Sequence, residues 1–395
     1  MRKIYLDHSA TTPVHPEVLE AMLPYFREHF GNASSTHSWG REARVVLEEC
    51  RERVAGYFGA SPKEIFFTSG GTESDNLAIK GVAWSNENKG KHIITSSIEH
   101  HAVLESCKYL SKQGYEITYL PVDKYGLVNP EDVKNAIKSD TILVSIMHIN
   151  NEVGAIEPIG EIGKITKEKG VYFHTDAVQS AGKLPIDINK LNIDMFSLSA
   201  HKLYGPKGVG LIYIRQGTRI TPLSHGGHHE KGKRAGTENV TGIVGLAKAI
   251  EIGHRDMDEY NKKMKLLADT FYKKLNEKIP DIFLNGSPDK RYCGIMNISF
   301  KGVEGESIIL SLDMKGVAVS SGSACTSGSL EPSHVLAAMG IAPELAQGSI
   351  RFSFGWDNTL EDIDYVIEVL PEIINRLRQM SPIYQVDKSC DSSRE

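Results

Sequence analysis

The sequence predicts an α/β protein in which helices pack on a mostly parallel sheet, joined to a smaller α+β unit. Two observations carry this. From about residue 16 to 215, amphipathic stretches alternate with short β-rich runs, the pattern of repeated strand and helix units. Seven such runs occur there, enough for one large open sheet.

In order, the strand candidates are residues 65–68, 92–95, 117–120, 141–147, 171–174, 195–198 and 209–214, all of strand length and rich in β-branched and aromatic residues. From 242 to about 277, apolar residues recur at helical spacing (Ile243, Leu246, Ala247, Ile250) before the run turns charged, which predicts one long helix linking two domains. Beyond it come a strand at 294–300, a helix at 305–312, a Ser/Gly-rich loop, a strand at 349–354 and a C-terminal helix from about Leu360. The expected division is a large domain over 14–255, a small domain made of 1–13 and 256–382, and a mobile polar tail over 383–395.

Composition narrows the functional classes. The chain has 395 residues, 40% hydrophobic and 24% charged, ample for more than one compact unit. Fifty acidic and 45 basic residues give a formal charge of −5 without a long basic run, which argues against a nucleic-acid partner. Near the N-terminus, Asp7 and His8 interrupt the chain before a signal-length apolar segment can form. The most apolar stretches have strand length, far below the roughly 20 residues of a membrane span. Cysteines stand at 50, 107, 293, 325 and 390, widely spaced and without a CxxC pair, which points to a reducing cytoplasm rather than a disulfide framework. His225, His228 and His229 have no cysteine or carboxylate at ligand spacing, so no metal is expected.

Chemistry gathers at predicted strand ends. Lys202, in Ser199-Ala200-His201-Lys202, follows the 195–198 run, where an amine could form a Schiff base; by itself it reads first as a solvated surface lysine. Asp176 ends the 171–174 run and suits either a protonated pyridine nitrogen or a helix N-cap. Gly71 and Thr72, in Thr68-Ser69-Gly70-Gly71-Thr72-Glu73-Ser74, open a helix after the first run and offer backbone N–H groups to a phosphate. Each signal is weak alone, and the three together in one sheet are not. His100 lies just past another strand end, though a histidine adjoining another (His101) reads by itself as a surface or hydrogen-bonded residue. Arg351, charged inside an apolar run, suits a bidentate clamp on a carboxylate. Cys325 stands among Ser, Gly and Thr with no apolar pattern around it, unlike Cys50, Cys107 and Cys293, which read as core thiols.

These segments, with Tyr5-Leu6-Asp7-His8-Ser9-Ala10-Thr11-Thr12-Pro13, Asn150-Asn151-Glu152-Val153-Gly154 and Arg234-Ala235-Gly236-Thr237, resemble the signature set of class V pyridoxal-phosphate enzymes. The nearest branch is the cysteine desulfurases of the housekeeping and nitrogen-fixation type, on the strength of Ser320-Ser321-Gly322-Ser323-Ala324-Cys325-Thr326-Ser327-Gly328. The resemblance runs to about Pro382. It implies the fold type I architecture of pyridoxal-phosphate-dependent transferases, pyridoxal 5'-phosphate as cofactor, and conversion of L-cysteine to L-alanine with sulfur carried as a persulfide on Cys325. It further implies that Lys202 bonds the cofactor and serves as base, that Asp176 meets its ring nitrogen, and that His100 stacks on its ring. Gly71, Thr72, Ser199 and His201 then belong to the phosphate, Gln179 and Asn151 to the ring hydroxyl and substrate, and Arg351 to the substrate carboxylate. Thr237 implies a homodimer, since in the family it reaches the neighbouring subunit's phosphate. An iron–sulfur scaffold or another sulfur acceptor is the implied partner. The chain departs from the commonest pattern at His228-His229 and Lys233, and after Pro382. The alternatives within the resemblance are a selenocysteine lyase or another class V enzyme, neither of which needs a reactive loop cysteine.

Overall fold

Short continuous runs of Ile, Val, Phe and Leu become strands because a pleated ladder both satisfies their backbone groups and buries both faces. The computed structural model describes residues 2–321, 333–382 and 384; Cys325, Cys390 and the predicted tail apart from Tyr384 lie outside them. Twelve strands are described: β1 (Ile4–Tyr5), β2 (Ile65–Thr68), β3 (His92–Ser96), β4 (Glu116–Leu120), β5 (Thr141–Ser145), β6 (Tyr172–Asp176), β7 (Met195–Ser199), β8 (Gly210–Ile214), β9 (Ile282–Asn285), β10 (Ile295–Phe300), β11 (Val317–Ala318) and β12 (Ser349–Ser353).

All seven predicted runs enter one sheet, in the order β2-β8-β7-β6-β5-β3-β4. Six strands share a direction and β8 opposes both of its neighbours. Helices cover both faces. Leu47, Val54 and Phe58 of the Ser38–Phe58 helix pack with Phe173, Phe196 and Leu246 on one side. On the other, Leu77 and Val82 of the Gly71–Ser85 helix pack with Val103, Leu110 and Ile212. Five strands are therefore buried along their whole length on both faces, whereas the edge strand β4 is largely open.

A second core surrounds the antiparallel sheet β12-β10-β9, where Phe271, Ile298, Phe352, Ile363 and Leu370 meet. The predicted linker is two helices, Val240–Arg255 and Met257–Lys278. Asp256 leaves helical geometry between them (φ −104°, ψ 4°), its N–H closing the first helix on Ile252 O at 2.9 Å and its side chain pairing with Arg255 at 2.8 Å, where spacing alone suggested continuity. β1 pairs in parallel with β11, and Asp7 bridges Ser353, so the first residues run from the smaller sheets to the large one.

One buried ion pair fastens the loop between β8 and the Val240–Arg255 helix. Arg51 makes two bonds of 2.8 and 2.9 Å to Glu230, both side chains being 2% exposed, and Glu230 also accepts from Phe67 N at 2.9 Å. Glu230 and Lys231 hold left-handed φ values of 44° and 54°, strain that this pairing sustains. Glu230→Ala, which leaves the buried guanidinium only Ile65 O at 2.7 Å and the exposed Glu48 at 3.3 Å, is expected to cost about 3 kcal/mol in urea unfolding. Arg51→Met combined with Glu230→Leu should restore most of the loss, and a single variant of near wild-type stability would contradict the account.

Candidate active site

The strands of the large sheet deliver their carboxyl ends to one edge, as open α/β sheets do. After β2, Gly70 takes φ +155° and starts the Gly71–Ser85 helix, whose first-turn N–H groups have no intrahelical acceptor. After β3, His100 caps the His101–Ser111 helix, its Nδ1 accepting from Ala102 N at 3.1 Å. β6 ends on Asp176, and β7 ends on Ser199 and passes through one 3₁₀ turn, Ala200–Lys202.

A cavity of about 330 Å³ opens at this edge. Gly71, Thr72, Ser199 and His201 line it, as do His100, Asp176, Gln179 and Lys202. Ser9, Ala10, Asp75, Asn151 and Arg351 also line it. Thr237 is exposed and does not line the cavity of its own chain. Cys325 lies outside the described residues.

Each functional group is oriented. Lys202 Nζ donates to the backbone oxygens of Ser9 at 2.6 Å and Ala10 at 2.7 Å. Gln179 Nε2 donates to the same Ser9 oxygen at 2.9 Å. Asp176 Oδ1 accepts from Val178 N at 2.8 Å. Arg351 is 3% exposed and donates to Asp7 Oδ1 at 2.8 Å and to Asn151 O at 3.0 Å, so an aspartate holds the clamp.

Burial controls the charges. It raises Asp176 to about 6, against the lowering effects of the Val178 N–H and the Lys202 charge. Asp75, 1% exposed, is pushed well above the carboxylate range by burial and then by Asp176, because two adjacent carboxylates cannot both ionise. Burial lowers His100 to about 4, helped by Lys202, and lowers His201 to about 4 in the same way. Both imidazoles are neutral near pH 7.

These residues fit pyridoxal phosphate. A Cβ on Gly71 would stand 2.7 Å from Val178 Cγ2, so the glycine keeps the helix start close against the chain after Asp176. Arg351 Nε, buried on the wall, has no hydrogen-bond partner among the described residues, whereas Asp75 Oδ1 faces His174 Nε2 at 3.6 Å. Three contributors went unread in the sequence. Ser9 and Ala10 act through backbone oxygens, which no residue type advertises, and Asp75, just past the helix-start motif, reads as an ordinary acid early in a helix. Nothing in the sequence links Asp7 to Arg351, 344 positions away.

The family described as Aminotransferase class-V matches residues 4–366. The chain is 56% identical over 384 residues to the cysteine desulfurase IscS of Dictyoglomus turgidum, covering 97% of this chain and 98% of that one. It is also 56% identical to the cysteine desulfurase IscS of Methanosarcina thermophila, covering 97% and 94%. Among solved structures, a NifS-like protein superposes with a TM-score of 0.90 at 42% identity, over 95% of this chain and all of that one. SspA in complex with cysteine gives 0.81 at 39% identity, over 89% and 99%.

Because His100 Nδ1 accepts a backbone N–H, the neutral ring carries its proton on Nε2. In the ligand-free protein, nitrogen-15 NMR should find His100 in that tautomer and flat between about pH 5 and 9. A titration centred near pH 6.5 would contradict the burial argument.

Proposed function

The chain belongs to the aminotransferase class-V family, and on that premise we propose that it is a cysteine desulfurase, moving sulfur from L-cysteine onto Cys325 and releasing L-alanine. The observation that carries the reading is the convergence of Lys202, Asp176, Arg351 and a glycine-opened helix start on one cavity, with the described ends of the Cys325 segment fastened beside it. Pyridoxal phosphate is the cofactor. It supplies an aldehyde that takes up amino groups and a ring that draws electrons from the substrate α-carbon. Lys202 would hold it covalently, Asp176 its ring nitrogen, His100 its ring face, Gln179 its ring oxygen, and Gly71, Thr72, Ser199 and His201 its phosphate.

Arg351 and Asn151 bind the substrate carboxylate, Asp7 keeping the guanidinium in place. Lys202 Nζ takes the α-proton and later returns one. His100, with its proton on Nε2, exchanges a proton with the substrate. The Cys325 thiolate attacks the substrate sulfur: the S–S bond forms as the C–S bond breaks, the electron pair stays with carbon, and that carbon takes a proton to become the methyl group of alanine.

Cys325 has support from both sides of its segment. Ser320 exchanges two backbone bonds with Arg351, of 3.3 and 2.7 Å. Cys325 follows five residues on in the sequence. At the other end Ser333 donates to the Glu152 carboxylate and His334 Nε2 meets Glu99 O at 2.9 Å. The described cysteines are poor substitutes. Cys50 and Cys107 are buried, Cys107 being pushed up to about 12 by burial and then Glu99, and burial raises Cys293 as well. None of the three lines the cavity.

The active form is a homodimer on this reading. Leu19, Leu23, Phe26 and Phe30 are 47–67% exposed on one short stretch. Thr241 Oγ1 donates to Tyr25 O at 3.2 Å, which brings the segment carrying Thr237 beside that stretch, ready to serve a partner's cavity. Among the described residues no helix is long and apolar enough to cross a membrane, and the three described cysteines are unpaired, in keeping with a cytoplasmic site of action. The sulfur then passes to an iron–sulfur scaffold or another acceptor protein.

Cys325→Ser separates this reading from a lyase of the same family. The variant should bind pyridoxal phosphate normally while alanine formation from cysteine falls by at least about 10²-fold. Wild type treated with cysteine and alkylated should carry one added sulfur on the Cys325 peptide. Undiminished alanine formation by the serine variant would overturn the assignment.

A further inference from the structure

Lys183 is a buried base that the reaction above leaves unused. It follows Gly182, which takes φ +72° and turns the chain back toward Gln179, and it is 7% exposed. Among the described residues its amine donates to Gln179 Oε1 at 3.1 Å and stands 5.5 Å over the Tyr292 ring, and no carboxylate accepts from it. Burial, and next the Lys202 charge, push it down to about 7. A desolvated amine without a counter-charge costs stability, so its single good hydrogen bond needs an explanation.

The explanation lies in what an amide can do. Gln179 sits between Lys183 and the Ser9 oxygen, to which its Nε2 donates at 2.9 Å. In its protonated form Lys183 only donates and a carbonyl only accepts, so one orientation of the amide then satisfies both neighbours: Oε1 toward Lys183 and Nε2 toward Ser9 and the cavity. The flipped amide would set N–H against ammonium and oxygen against oxygen. Nε2 carries two hydrogens, one of which is spent on Ser9, and Gln179 lines the cavity.

We infer that Lys183 is a positioning residue, locking Gln179 as an N–H donor toward an anionic oxygen of the molecule bound in the cavity. This rests on the reading of the cavity as a pyridoxal-phosphate site, in which that oxygen is the ring hydroxyl. Lys183 does not itself line the cavity but lines a neighbouring one of about 110 Å³, which leaves room for a larger side chain.

The test is the pH titration of the visible absorbance of pyridoxal phosphate bound to the whole protein, with melting of the ligand-free protein as a folding control. A donor at an oxyanion favours the anionic form, so losing it moves the midpoint upward. Gln179→Ala and Lys183→Met should each raise the midpoint by about one pH unit, the loss of one charge-assisted hydrogen bond. Lys183→Arg, which keeps a donor, should return it toward wild type. The double variant should move no further than Gln179→Ala alone, because Lys183 acts through Gln179. If Lys183→Met does not fold, Lys183→Gln, one bond too short to reach Gln179, takes its place with the same expectation. An unmoved midpoint in either Lys183 variant overturns the lock, and a further rise in the double variant overturns it in favour of a through-space charge. An unmoved midpoint in Gln179→Ala overturns instead the assignment of the cavity's ring-oxygen contact, and the lock with it.

Discussion

A single backbone oxygen, that of Ser9, accepts hydrogen bonds from both Lys202 and Gln179, and the site is arranged around that shared acceptor. A carbonyl has two lone pairs, so it can hold two donors at once without the desolvation cost of a carboxylate. The lysine is thereby aimed by backbone, which carries no net charge and leaves its amine free to change partners. The same N-terminal segment supplies Asp7 to Arg351 and Thr11 to His201. Because β1 pairs with β11 and Asp7 bridges Ser353, ten residues join the smaller sheets to the strand ends of the large one. The lysine and the guanidinium, which come from different sheets, face one cavity for that reason.

Burial then sorts the ionisable groups. Histidines that would be half charged in water are held neutral, while Asp75 takes the proton that lets Asp176 remain the ionisable member of the pair. A cation placed beside Asp176 lowers it again, so binding a protonated ring nitrogen and ionising Asp176 favour each other. His174, lowered to about 3 by burial, stays neutral between Ser145 Oγ at 2.8 Å and Ser197 Oγ at 3.0 Å and supports the strand that ends on Asp176. The polar interior under the site is thus largely uncharged, which leaves the field of Lys202 and Arg351 to act on an anionic occupant.

The large sheet was legible because its strands are covered on both faces, and continuous apolar runs betray that. β1 and β11 are two residues each, too short for any period to register, and Phe283 on β9 is 44% exposed, so that strand lacks the burial on both faces that marks the large sheet. The site residues announced themselves by type, as lysine, aspartate and arginine beside apolar strands. What escaped was whatever depends on a partner distant in sequence. Lys183, in Ala181-Gly182-Lys183-Leu184-Pro185, reads as a solvated turn lysine until the fold closes over it. The Arg51–Glu230 pair spans 179 positions, and neither residue looks unusual alone.

Two lysines, the half-buried Lys202 and the buried Lys183, stand near the cavity, and the account requires that only the first bond the cofactor. Borohydride reduction of the protein loaded with pyridoxal phosphate, followed by peptide mapping, tests this directly. The account predicts a single stable adduct on Lys202 and none after Lys202→Ala. An adduct on Lys183, or on any other lysine in the intact protein, would contradict it.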